Sequence, residues 1–198
     1  MSFAPIDTTD GSDWHGKLRE VEIGSGVANT FLGDMMALSG TGSADGRAEG
    51  VILATAGDAT AFGGAGGSTD LAGAIVSFTP DFTDEGTLIR NFHLTGAVQL
   101  GKLVYGSNVI YEAPALTALA ITDIAANRNI AVGAGGSIVT GIGTHGIGAA
   151  PSTPDIGQLR IIGASRIEDD SGLAITAVNA VWRCRLNASV DQMRTDGA

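Results

Sequence analysis

Ala180-Val-Trp-Arg-Cys-Arg-Leu186 is the stretch whose reading decides the fold. Ala180, Trp182, Cys184 and Leu186 alternate with Val181, Arg183 and Arg185. A period of two places the first set on one face of a β-strand and the second set on the other. One face is apolar and the other carries two arginines, so this strand belongs to a sheet with one side on a core. Cys184, the only cysteine, falls on the apolar face and reads as a buried structural thiol, since a free cysteine packs as a small hydrophobe. With one cysteine, no intrachain disulfide can form. Arg183 and Arg185 are candidates for pairing with acids across a subunit interface.

Outward from this stretch, Ala174 to Asn187 and Gln158-Leu-Arg-Ile-Ile-Gly-Ala164 are the two strongest strands, joined across the acidic turn Glu168-Asp-Asp-Ser-Gly172. Short apolar runs broken by glycine fill the rest of the chain. Val21-Glu-Ile23 alternates, and Thr30 to Leu38 reads as strand, turn at Gly33-Asp34, strand. Glu49 to Thr55, Leu71 to Phe78, Gly96 to Tyr105 and Asn108 to Glu112 are further strands. The loops Ser39 to Gly46 and Gly63 to Ser68 separate them, and Gly106-Ser107-Asn108 forms a turn. Leu116 to Ala126 is the best helix candidate, with Ile121 and Ile124 facing inward. Asn129 to Ile142 returns to a glycine-punctuated β pattern.

The expectation is an all-β fold, a compact barrel or sandwich of short Gly-rich strands and loops with one short helix. Residues 1–20 are polar and read as an extended N-terminal arm, and 21–198 as the β domain. If that domain has two lobes, 21–80 and 87–198, the hinge falls at Thr79 to Thr87. Gly-Ala-Gly-Gly-Ser occurs at 64–68 and again at 133–137, which reads as reuse of a flexible loop.

Composition narrows the function. The chain has 198 residues, 44% hydrophobic but only 5% aromatic, with 30 glycines. That length buries a core without disulfides or metals. Its net charge is −10 and its only lysines are Lys17 and Lys102, so free nucleic acid and anionic membrane are disfavoured as partners. The opening Met1 to Asp7 lacks the basic and apolar regions of a signal peptide, which predicts synthesis and folding in a cytoplasm.

No motif in the sequence marks a catalytic, cofactor or metal residue. Gly141-Ile-Gly-Thr-His-Gly146 has the G-x-G-x-x-G spacing, but Gly148, Pro151 and Pro154 follow where a dinucleotide site needs a helix. His15, His93 and His145 lie in unrelated segments with no second ligand at i+2 or i+4. No Gly-x-Ser-x-Gly elbow is present, although a Ser-His-Asp set can assemble from distant residues. Asp81, Asp84 and Glu85, and Glu168, Asp169 and Asp170, read as solvated turns and not as glycosidase or calcium sites.

Two segments resemble a known family. Gly26-Val-Ala-Asn-Thr-Phe-Leu-Gly-Asp-Met-Met-Ala-Leu-Ser-Gly-Thr-Gly42 is similar to the opening of a group of tailed-bacteriophage virion proteins, with Met35 where proline is common. Thr122 to Asn127, Gly133 to Ser137, Thr140-Gly141, Gln158 to Gly163 and Asn179 to Asn187 follow the order and spacing of that group's C-terminal half. Ala126 stands where glycine is common, and Ala188-Ser189 where a histidine is expected. The group is the capsid decoration (cement) proteins that stabilise phage heads. The resemblance implies a non-enzymatic homotrimer on the outer surface of the virion, at local threefold positions between major capsid protein subunits. A receptor-binding or fibre-like attachment protein and a small β-fold hydrolase or lyase are the alternative readings. The chain is too short and too β-rich to be the major capsid protein itself.

Overall fold

The computed structural model describes residues 2–9, 18–57, 71–80, 90–106, 108–152, 157–165 and 174–187. In chain order its strands are β1 (Ala4–Thr8), β2 (Leu18–Ile23), β3 (Thr30–Phe31), β4 (Met35–Gly42), β5 (Glu49–Leu53), β6 (Leu71–Phe78) and β7 (Phe92–His93). They continue with β8 (Gln99–Tyr105), β9 (Val109–Pro114), β10 (Asn127–Arg128), β11 (Ile130–Ala131), β12 (Gly146–Ile147), β13 (Leu159–Ala164) and β14 (Val181–Leu186). The fold is β throughout, and the described helical structure is one 3-10 turn at Ile121–Asp123.

Two assemblies carry the body. Strands β2, β5, β4, β6 and β8 pair in a ring, with β2 parallel to β5 and every other pair antiparallel. Strands β1, β9, β14, β13 and β10 form a five-stranded antiparallel sheet. The ring encloses Val21, Ile23, Met36, Val51, Ala72, Ile75 and Leu103. A second and larger cluster lies between ring and sheet: Met35, Leu71, Ala74 and Val104 meet Tyr111, Leu159, Ile161, Trp182, Cys184 and Leu186.

These two cores account for the sequence patterns. Met35 and Met36, Leu71 and Ala72, Ala74 and Ile75, and Val104 and Leu103 each split between the clusters. Strands β4, β6 and β8 are thus covered on both faces at these positions, so Met35–Ala37, Leu71–Ile75 and Leu103–Val104 are continuous apolar runs. Strand β14 is covered on one face only, and its burial alternates strictly, with Trp182, Cys184 and Leu186 inside. Burying side chains of this size contributes roughly 1.5–3 kcal/mol each.

Three expectations are corrected. Residues Ala4–Thr8 of the supposed arm are an edge strand paired with β9, and Phe3 is in the core, edge-on to Tyr111 at 6.2 Å. Leu18 to Glu20 already belong to β2. The helix over 116–126 is reduced to the 3-10 turn, and Ile121 and Ile124 face solvent. Extended backbone wins there because Leu116 N–H donates to the Ile147 carbonyl and the Thr117 hydroxyl to Gly148. The passage from ring to sheet occurs between β8 and β9, around Gly106, and the shared core bridges it. The Tyr111 hydroxyl donates to the Val104 carbonyl across that junction at 3.3 Å. Most of the expected hinge and the turns at 63–68 and 168–172 lie outside the described residues.

Candidate functional site: a buried Asp–His pair and an arginine-lined sheet face

The glycine-rich segment 133–146 folds against the start of β4. Leu32 N–H donates to the Gly141 carbonyl, and Gly143 N–H to Leu32. Gly143 lies so close to Asp34 that a Cβ there would overlap its carboxylate. Gly141 has φ +70°, a left-handed conformation that glycine adopts readily, and a Cβ there would overlap Asn91. The G-x-G-x-x-G spacing is therefore explained by packing. The short strand β12 follows it, and no helix opens there to meet a phosphate.

This packing brings Ser2, Asp34 and His145 together. Asp34 accepts Phe31 N–H at 2.9 Å through Oδ2, and His145 Nδ1 accepts Met35 N–H at 3.1 Å. Nδ1 thus carries no proton, and the neutral ring is protonated at Nε2, which lies 3.8 Å from Asp34 Oδ1. The Ser2 hydroxyl donates to the Gly33 carbonyl at 2.7 Å, while the His145 carbonyl lies 3.1 Å from it.

Burial raises the Asp34 carboxyl to about 6, against the hydrogen bonds from Phe31 and His145 that lower it. Burial lowers the His145 imidazole to about 4. Aspartate and imidazolium are consequently not the dominant forms at any one pH. The pair is not an ion pair, and the serine hydroxyl addresses carbonyls and not the ring. The three side chains fasten the N-terminus, β4 and the 133–146 segment, and lack the nucleophile–base geometry of a triad.

His93 on β7 is fully buried, and neither ring nitrogen has a hydrogen-bond partner among the described residues. Burial lowers its pKa and favours the neutral ring. Among the described residues, no group of three His, Cys, Asp or Glu side chains could hold a metal. None of the described helical structure is long and apolar enough to cross a membrane.

The outer face of the five-stranded sheet is different. Arg183 and Arg185 both lie on it, as their alternation predicts, but their surroundings diverge. Arg183 stands opposite Glu112 of β9 and donates to Glu112 Oε1 through Nε and Nη2, each at 3.1 Å. The Ser165 hydroxyl donates to the same oxygen at 2.7 Å. Glu112 is buried, so this ion pair is internal and engages Arg183 within its own chain. Arg185 stands opposite Ile110 on one side and Arg160 on the other. Arg160 and Arg185 line an open cleft of about 320 Å³ whose other walls include Thr9, Ile110, Ile124 and Ile162. Arg160 escapes sequence reasoning because its partnership with Arg185 depends on strand register.

A second exposed surface is apolar. Ile138 and Val139, 67% and 90% exposed, project from the turn between Ser137 and Gly141. Ser137 Oγ accepts the N–H groups of Val139 and Thr140, which fixes that turn. No family model, no curated protein and no solved structure matches this chain.

Proposed function

We propose that the chain is a non-enzymatic virion structural protein that decorates and stabilises a phage capsid. In this reading it binds between major capsid protein subunits as a trimer at local threefold positions on the outer capsid surface. The observation that carries the reading is the ordered set of motifs from Gly26 to Asn187, which resembles the cement proteins along most of the chain.

Two structural features are compatible with that role. The buried Asp34, His145 and Glu112 are engaged in holding elements together, so the described body offers rigidity in place of chemistry. The exposed Ile138–Val139 turn and the Arg160–Arg185 cleft offer contact surfaces. The net charge of −10 keeps an abundant assembly part soluble before docking.

The test is to purify particles from cells producing this chain and to count its copies against the major capsid protein. Hundreds of copies, located between capsomers by electron microscopy, are expected. A few dozen copies at a vertex would favour an attachment protein, and absence from purified particles would defeat the virion reading.

A further inference from the structure

We infer that the Arg160–Arg185 cleft is a self-association contact, which receives a carboxylate from a second copy of this chain. Arg160 and Arg185 are directly opposed on β13 and β14. Directly opposed residues share a face with Cβ atoms about 4.5–5.5 Å apart, and like charges so placed destabilise a sheet. Arg19, Arg47, Arg128 and Arg183 each pair with an acid of their own chain. Among the described residues, the guanidinium groups of Arg160 and Arg185 make no ion pair or hydrogen bond. The nearest acid in their row, Asp7 of β1, is held off by the intervening Ile110. The fold therefore leaves two guanidinium groups side by side, with no counter-charge from the described chain.

An arginine pair at this spacing is matched by one carboxylate, which can accept N–H groups from both guanidiniums. The walls select its setting. Ile110 is half-buried and Ile124 is 46% exposed. Ile162, 38% exposed, is turned outward by the irregularity between Ile161 and Gly163. A carboxylate on an apolar segment fits such a cleft.

Charge complementarity selects the second copy as occupant. Each chain carries 21 acids against 11 Lys and Arg, so every copy brings surplus carboxylates to a site with no counter-charge among the described residues. At about 0.15 M salt the Debye length is about 8 Å, which screens the overall repulsion between copies while a desolvated contact survives. The inference deepens the homo-oligomer part of the proposed function and rests on that part alone. Solution mass and particle occupancy are separate measurements, so failure of one is distinguishable from failure of the other.

The experiment is sedimentation velocity of the full chain at micromolar concentration and physiological salt. The native chain is expected to sediment as an oligomer. The double variant Arg160→Glu with Arg185→Glu is expected to dissociate, with its dissociation constant raised on the order of a hundredfold. Circular dichroism and the urea midpoint check that the variant is folded. If charge reversal prevents folding, Arg160→Gln with Arg185→Gln removes the charges at nearly constant shape and is expected to weaken association in the same direction. A monomeric native chain overturns the inference. So does a folded variant that retains the native mass.

Discussion

His145 Nε2 lies 3.8 Å from Asp34 Oδ1 inside the protein, and the two groups titrate so that both are neutral between about pH 4 and 6. Their linkage to folding has opposite signs. Asp34 rises from 3.8 to about 6, so the native state holds a proton that the unfolded chain has lost, and its contribution falls as pH rises through that window. His145 drops from 6.5 to about 4, so the unfolded chain holds the extra proton, and its contribution falls as pH is lowered through the same window. Between about pH 4 and 6 the two slopes cancel. Asp34→Asn leaves the histidine slope, so this variant should gain stability, relative to the native chain, from pH 4 to 6. His145→Phe leaves the aspartate slope and should lose stability over that range. Each slope approaches 1.4 kcal/mol per pH unit at most. Urea unfolding at a series of pH values measures both, and parallel profiles for all three proteins would refute the assignment.

Gly143→Ala should be among the most damaging single-methyl additions, because its Cβ would overlap the Asp34 carboxylate. A loss of about 1–3 kcal/mol is expected from overpacking. Gly26→Ala is the control, since nothing lies within 4 Å of the added carbon, and its effect should stay within about 0.5 kcal/mol. Paired urea melts decide whether the loop 133–146 is packed against β4 as described.

Arg183→Ala strands the buried carboxylate of Glu112, which keeps only its hydrogen bond from Ser165. The expected cost is about 3 kcal/mol, and replacing both partners by Met and Leu should recover much of it. Oligomeric state should not respond to Arg183→Ala at concentrations where the protein remains folded. A change in mass without a change in stability would return Arg183 to an interface.

Cys184 is fully buried on the inner face of β14, and burial pushes its thiol far above the ordinary range. A thiol-reactive dye should label the folded protein only at the rate of global unfolding and label the urea-denatured chain at once. Trp182, two residues away on the same face, donates Nε1–H to the Ile175 carbonyl at 2.9 Å. Trp182→Phe should cost about 1–3 kcal/mol through lost volume and an unpaired carbonyl. Rapid labelling of the native protein would contradict the core position of this strand.

Much of the strand content is legible locally because burial imposes a period. Strand β14 alternates because one face meets Tyr111 and Ile161 while the other meets solvent. Strand β6 is continuously apolar over Leu71–Ile75 because it is covered on both sides there, and its sequence span matches the structure residue for residue. The segment 116–126 misleads because its Leu and Ala residues favour a helix in isolation. Hydrogen bonds to Ile147 and Gly148, some thirty residues away, override that preference.

The sequence by itself determined that the chain is β-structured, that Cys184 is an inward-facing structural thiol, and that Arg183 and Arg185 share one face. Those properties follow from alternation within a few residues. Only the tertiary structure decided that Ala4–Thr8 completes a sheet with β9, that Asp34 meets His145, and that Arg185 faces Arg160 while Arg183 faces Glu112. Each of these depends on which strands pair and in what register. Pairing is set by how two hydrophobic cores close around shared strands, and no local pattern encodes that closure.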